Sequence, residues 1–139
     1  MYSDRNLEFC IASRDAAAEV TRALPLGQAD LAAPTDGMGP LGGLYLHVSA
    51  GEAVAAPASS EQPGFTVTLE HCDTKDGTFT AVVAFPEIRT AITKGQALVK
   101  HPVPQGIRNW VRLRFSAAKL MNAVMTLDAE KHYPGLFRE

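Results

Sequence analysis

Hydrophobic and polar residues alternate one for one over four stretches of the chain. From Leu44 to Ser49, Leu44, Leu46 and Val48 fall on one side and Tyr45, His47 and Ser49 on the other. From Phe65 to Glu70, Phe65, Val67 and Leu69 oppose Thr66, Thr68 and Glu70. From Trp110 to Ser116, Val111, Leu113 and Phe115 oppose Trp110, Arg112, Arg114 and Ser116. From Asn122 to Asp128, Ala123, Met125 and Leu127 oppose Asn122, Val124, Thr126 and Asp128. Successive side chains of a strand point to opposite faces, so each stretch predicts a strand with one buried face. One-sided burial is the antiparallel pattern, because strands buried on both faces read as unbroken apolar runs.

Shorter or less regular strand patterns lie at Leu7–Ala12, Val20–Leu26, Thr78–Phe85 and Ala97–Lys100, giving about eight strands in all. Asp76-Gly77 stands between the Phe65 and Thr78 segments and predicts a hairpin, with Gly77 supplying a positive φ. Residues 35–43 and Pro57–Gly64 read as loops, and the prolines of His101-Pro102-Val103-Pro104 should break the ladder for want of an N–H. Residues 15–22 fit either two helical turns capped by Ser13 or an extended connector. Little else is helical in pattern. Many short strands with Gly/Pro turns and no alternating helices predict an all-β, antiparallel jelly roll or β-sandwich. The expectation is one domain over residues 1–139, with extensions at 1–6 and 130–139 that lack strand periodicity.

Composition narrows the classes. The chain has 139 residues, 46% hydrophobic and 20% charged, with net charge -2. That is one ordinary domain, hydrophobic enough to offset its ordering entropy. The longest apolar runs, such as Ala81–Phe85, are too short to span a bilayer. Near-balanced charge argues against a dedicated nucleic-acid binder. Two cysteines, Cys10 and Cys72, cannot form a disulfide framework, and read as buried free thiols. No secretory pattern opens the chain, and no Asn carries a hydroxyl residue two places on, so a reducing cytoplasm is the expected compartment.

Candidate chemistry is sparse. His47, His71, His101 and His132 stand far apart, with none of the short spacings that present two metal ligands together. A cupin-type metal enzyme on a jelly roll would need a close histidine pair. In His71-Cys72-Asp73 adjacent strand residues point apart, so histidine and thiol cannot pair directly. Gly37, Gly39, Gly42 and Gly43 match no phosphate-binding loop. No catalytic residues, cofactor or metal are therefore expected, and the chain is not read as an enzyme.

Two features point to contact surfaces instead. Trp110, Arg112 and Arg114 share the polar side of their strand, with Arg108 just before them. Trp and Arg concentrate at the centres of interfaces, although Arg stacked on an exposed Trp, or a Trp buried by a second sheet, would give the same pattern. The ends carry Tyr2, Arg5, Tyr133 and Phe137, and aromatic residues in tails favour packing on the domain or on a neighbour. Those eight residues are the candidate interface.

The order of segments resembles a known family. Gly95 to Phe115 runs from a glycine before a strand, through Pro104-Gln105-Gly106, into Arg108-Asn109-Trp110-Val111-Arg112-Leu113-Arg114-Phe115. It is similar to the C-terminal core motif of the small capsid cement, or decoration, proteins of tailed bacteriophages. Leu7 to Gly27, Gly39-Pro40-Leu41 with Leu44–Val48, and Thr66–Leu69 with Asp76–Phe79 follow in the family's order. Ala17 and Ala18 stand where the family usually has a glutamine, and Asn109 separates Arg108 from Trp110.

The resemblance implies a jelly-roll subunit that forms a homotrimer over local three-fold axes of an icosahedral head and clamps neighbouring major capsid subunits. It would sit on the outer surface of the virion after assembly in the host cytoplasm. It would need no small-molecule substrate, nucleic acid or membrane. The alternative is a carbohydrate-binding β-sandwich module, in which Trp110, Tyr45 and Tyr133 would have to converge as an aromatic platform.

Overall fold

The stretch with the strictest alternation becomes the longest strand and the hub of one sheet. In a computed structural model of the chain, residues 2–25, 44–103 and 110–127 are described. Among them nine strands run in chain order: β1 Tyr2–Cys10, β2 Ala18–Val20, β3 Leu24–Pro25, β4 Leu44–Ala50 and β5 Val67–Cys72, followed by β6 Thr80–Ala84, β7 Ala97–Pro102, β8 Trp110–Lys119 and β9 Met121–Leu127. One sheet has the order β1-β9-β4-β7, and the other β2-β8-β5-β6 with β3 also on β8. All pairings are antiparallel.

The pairs are nested. The first strand lies against the last, β2 and β3 against β8, β4 against β7, and β5 against β6. Pairing of β4 with β9 and of β5 with β8 then closes the two sheets. A long hairpin rolled up in this way is a jelly roll. The all-β sandwich expected from the alternation is the fold observed.

The inward faces meet in one core. From the first sheet come Phe9, Leu46, Val48, Val99, Met121, Ala123 and Met125; from the second, Leu24, Val67, Leu69, Val111, Leu113 and Phe115. Phe65 and Phe115 stack with centroids 6.0 Å apart. Strands β8 and β9 belong to different sheets yet are joined by Leu120 alone. Glu52 holds that crossing by accepting the Leu120 N–H at 2.7 Å, and Gly51 donates to the Leu120 carbonyl at 2.8 Å.

Several expectations change. The N-terminal strand begins at Tyr2, so residues 2–6 belong to a sheet and not to an extension. Its register slips twice: Ser3 pairs with Thr126 and Glu8 with Val124, so five residues of β1 pass two of β9. Such bulges erase the alternation that would reveal a strand. The helical option for residues 15–22 is not taken. Ile11 O accepts from Arg14 and Asp15, closing a turn, and Thr21 exchanges bonds of 3.0 Å with Leu113. The open side of β8 thereby finds its partners, and the expected strand at Val20–Leu26 is split into β2 and β3.

Strand β7 runs two residues past Lys100 and ends at Pro102, the first of the prolines expected to break the ladder. A proline is tolerated there because β7 is an edge strand. The β5–β6 hairpin forms as expected, but Gly77 has no positive φ. A Cβ there would overlap Thr74 Oγ1 and Cys72 Sγ, so a larger residue would have to displace those two side chains. The positive φ among the described glycines is at Gly95, at 89°. Residues 35–43 and 130–139 lie outside the described residues.

Leu113 is fully buried between the sheets. Leu113→Ala should cost about 2–5 kcal/mol in urea unfolding, through lost transfer energy and a residual cavity. Glu61→Ala, in an exposed loop, should stay within about 0.5 kcal/mol of the parent.

Candidate functional site

The polar face of β8 is the most organised surface. Its register against β5 sets Trp110 opposite Cys72, Arg112 opposite Glu70 and Arg114 opposite Thr68. Since Val111, Leu113 and Phe115 are buried in the core, these three pairs lie on the outer side of the sheet.

Glu70 sits at the centre of the group. Arg112 donates its Nε–H to Glu70 Oε1 at 2.8 Å, and Arg114 donates its Nε–H to Oε2 at 3.1 Å. Glu70 is only 8% exposed although it faces away from the core, because the two arginines cover it. Burial alone would raise its carboxyl. The hydrogen bonds from Arg112 and then Arg114, with their positive charges, outweigh that and hold it below its ordinary value.

Aromatic residues stiffen the group. The Arg112 guanidinium lies 4.1 Å from the centroid of Phe79, which follows the β5–β6 turn. Lys75, within that turn, stands 6.0 Å from the Trp110 ring. Cation–π contacts of this kind each contribute about 0.5–1 kcal/mol near a surface. Cys72 is buried beneath the same turn, its Sγ 3.9 Å from Thr74 Oγ1.

Trp110, Arg112 and Arg114 are thus brought together as the alternation predicts. Tyr2 and Arg5 lie on β1, in the other sheet, and do not join them. Arg108, Tyr133 and Phe137 lie outside the described residues. Glu70, Phe79 and Lys75 were not singled out by the sequence pattern. Glu70 does show there as a charged residue on a polar strand face, but its partners come from a strand more than forty positions away.

A second feature is a cavity of about 160 Å³ between β1, β2 and β8. Phe9, Cys10, Asp15, Val20, Phe115 and Met121 help to line it. The Cys10 thiol donates to the Met121 carbonyl at 3.3 Å. Burial first, and the Asp15 charge second, push Cys10 up to about 11, so it is a neutral thiol at neutral pH. Asp15 itself is held below its ordinary value, mainly by accepting the Ile11 N–H at 2.8 Å. Both cysteines are free thiols.

Among the described residues, no group of three or more His, Cys, Asp and Glu gathers as a metal site. No described helix is long and apolar enough to cross a membrane. The chain matches no known protein-family profile and no curated protein.

Glu70→Gln keeps one acceptor oxygen for two guanidiniums and should cost about 1–3 kcal/mol at pH 7. The folded carboxyl titrates below its unfolded value near ~4.3, so its stabilisation is complete above that pH. It is lost as pH falls through the folded value. Urea midpoints of the parent and the Gln variant should therefore converge in acid.

Cys10 should react with iodoacetamide at pH 8 about a hundredfold more slowly than an unhindered thiol, because its thiolate fraction is that much smaller. Site-resolved mass spectrometry measures this. With the folded value raised, the thiol's contribution to stability is present below the unfolded value near ~8.5 and is lost as pH rises towards about 11.

Proposed function

We propose that the chain is a structural subunit of a virion: a homotrimeric cement protein that clamps neighbouring major capsid subunits of a tailed-phage head. The observation that carries this reading is where the family-like segment falls. Gly95–Phe115 supplies β7 and most of β8, placing its Arg-rich row on the outer face of a jelly roll.

The mechanism is static. A close-packed two-sheet core resists deformation, and the outer faces present side chains whose positions are set by register and not by loops. Three copies bound at once gain avidity, so each contact need only be modest. No bond is made or broken.

The carbohydrate alternative loses its platform. Tyr45 lies on β4, whose Leu46, Val48 and Ala50 face the core, so its ring is on the outer side of the first sheet. Trp110 is on the outer side of the second sheet. The two aromatics cannot flank one sugar, and Tyr133 lies outside the described residues.

Native mass measurement should give three times the 14.9 kDa chain. The protein should bind expanded heads of the encoding phage and raise their resistance to heat. A strictly monomeric protein that leaves expanded heads unbound would remove the reading, and selective binding on a glycan array would favour the alternative.

A further inference from the structure

The two arginines on the second sheet's outer face are only half used. Glu70 takes the Nε–H of each, and neither guanidinium makes another hydrogen bond within the chain's described residues. Each keeps its four Nη N–H donors. The Arg112 side chain is 23% exposed and that of Arg114 47%, so these donors border solvent.

Their geometry is fixed in advance. The shared carboxylate ties both arginines at 2.8 and 3.1 Å, and Phe79 stacks against Arg112 at 4.1 Å. A guanidinium already ordered loses less freedom when it binds, which is where most of the cost of a surface ion pair lies. Two positive charges against one negative leave a surplus of one, on a chain whose net charge is -2. In the neighbouring turn Asp73 and Asp76 outnumber Lys75 by one negative charge, so the positive charge is confined to the two guanidiniums.

We infer that this face docks an Asp or Glu side chain of a partner protein, which Arg112 and Arg114 grip through their Nη donors beside the flat ring of Trp110. The inference rests on reading the chain as a clamp between proteins, and adds which face holds and what it holds. A carboxylate fits better than a nucleic-acid backbone, because a single surplus charge confined to one arginine pair, beside a turn whose acids outnumber its lysine, suits one anion. A phosphate backbone needs a row of cations. Planar two-pronged recognition is what a guanidinium provides and a lysine does not.

The test uses the whole chain labelled with nitrogen-15, following the Arg Nε–Hε and Trp110 indole N–H signals. The probes are a hexaglutamate peptide, a hexalysine peptide, inorganic phosphate and a short DNA duplex. Hexaglutamate should shift the Arg112, Arg114 and Trp110 signals and hexalysine should not, with the response fading as salt screens the charges. Arg114→Gln should weaken the response about tenfold while the protein stays folded with a modestly lower melting temperature, since Arg112 still pairs with Glu70. Arg114→Lys should recover little of it. The same Gln variant should bind expanded heads about tenfold more weakly than the parent.

No response to hexaglutamate, or a stronger one to phosphate or DNA, would overturn the inference. So would an Arg114→Gln protein that falls to a folded monomer, since the face would then join copies of this chain. Undiminished head binding by Arg114→Gln also overturns it, and leaves the cement reading standing. A parent protein that answers hexaglutamate through these residues yet ignores expanded heads sustains the inference and removes the cement reading.

Discussion

Everything in this structure depends on β8 serving both of its faces and both of its edges. Ten residues long, it pairs with β5 along one edge and with β2 and β3 along the other. Its odd-numbered residues from Val111 to Phe115 are buried, and Arg112 and Arg114 between them carry charge. A slip of one residue would send Arg112 and Arg114 into the core and Leu113 into water. The core and the charged face are therefore one constraint. The register that satisfies Leu113 and Phe115 also sets Arg112 against Glu70.

A carboxylate only 8% exposed on the outer side of a sheet is an unusual way to bury a charge. Burial deep in a core would demand several kcal/mol of desolvation per ion, and an ion pair there seldom gains much. Glu70 avoids most of that cost because its cover is made of two guanidiniums close to water, one of them stacked on Phe79. The result is a surface whose charges have fixed places, unlike the loosely held pairs typical of exposed faces. The Arg14 contacts with Glu8 and Asp15 are of that looser kind, on a side chain 40% exposed.

The sandwich was legible wherever burial is one-sided and pairing regular. Leu46–Val48, Val67–Leu69, Val111–Phe115 and Ala123–Met125 announce their inward faces by spacing alone. Of the strand at Tyr2–Cys10 only the part from Leu7 onward showed, because two register slips break the parity on which such spacing depends. Residues 15–22 were ambiguous because an Ala-rich run has no pattern of its own, and the unmet backbone groups of β8 decided their conformation. The charged face was half legible. Trp110, Arg112 and Arg114 share a side by local geometry, whereas Glu70 and Phe79 join them only through strand pairing and a turn. No window of a few residues contains that information.

The route by which force would cross the molecule follows from the same topology. Strands β8 and β9 run in different sheets with Leu120 alone between them, so the charged outer face of one sheet is tied covalently to the centre of the other. Glu52 and Gly51 brace that crossing through the Leu120 N–H and carbonyl. Strand β9 then passes any displacement to β4 along an unbroken ladder and to β1 along a bulged one. Pulling on Arg112 or Arg114 would therefore load a strand paired along both edges, and not an edge strand that could peel away. On the proposed reading of a subunit that holds its neighbours, a gripping surface belongs on the central strand that turns directly into the opposite sheet, and that is the position β8 occupies.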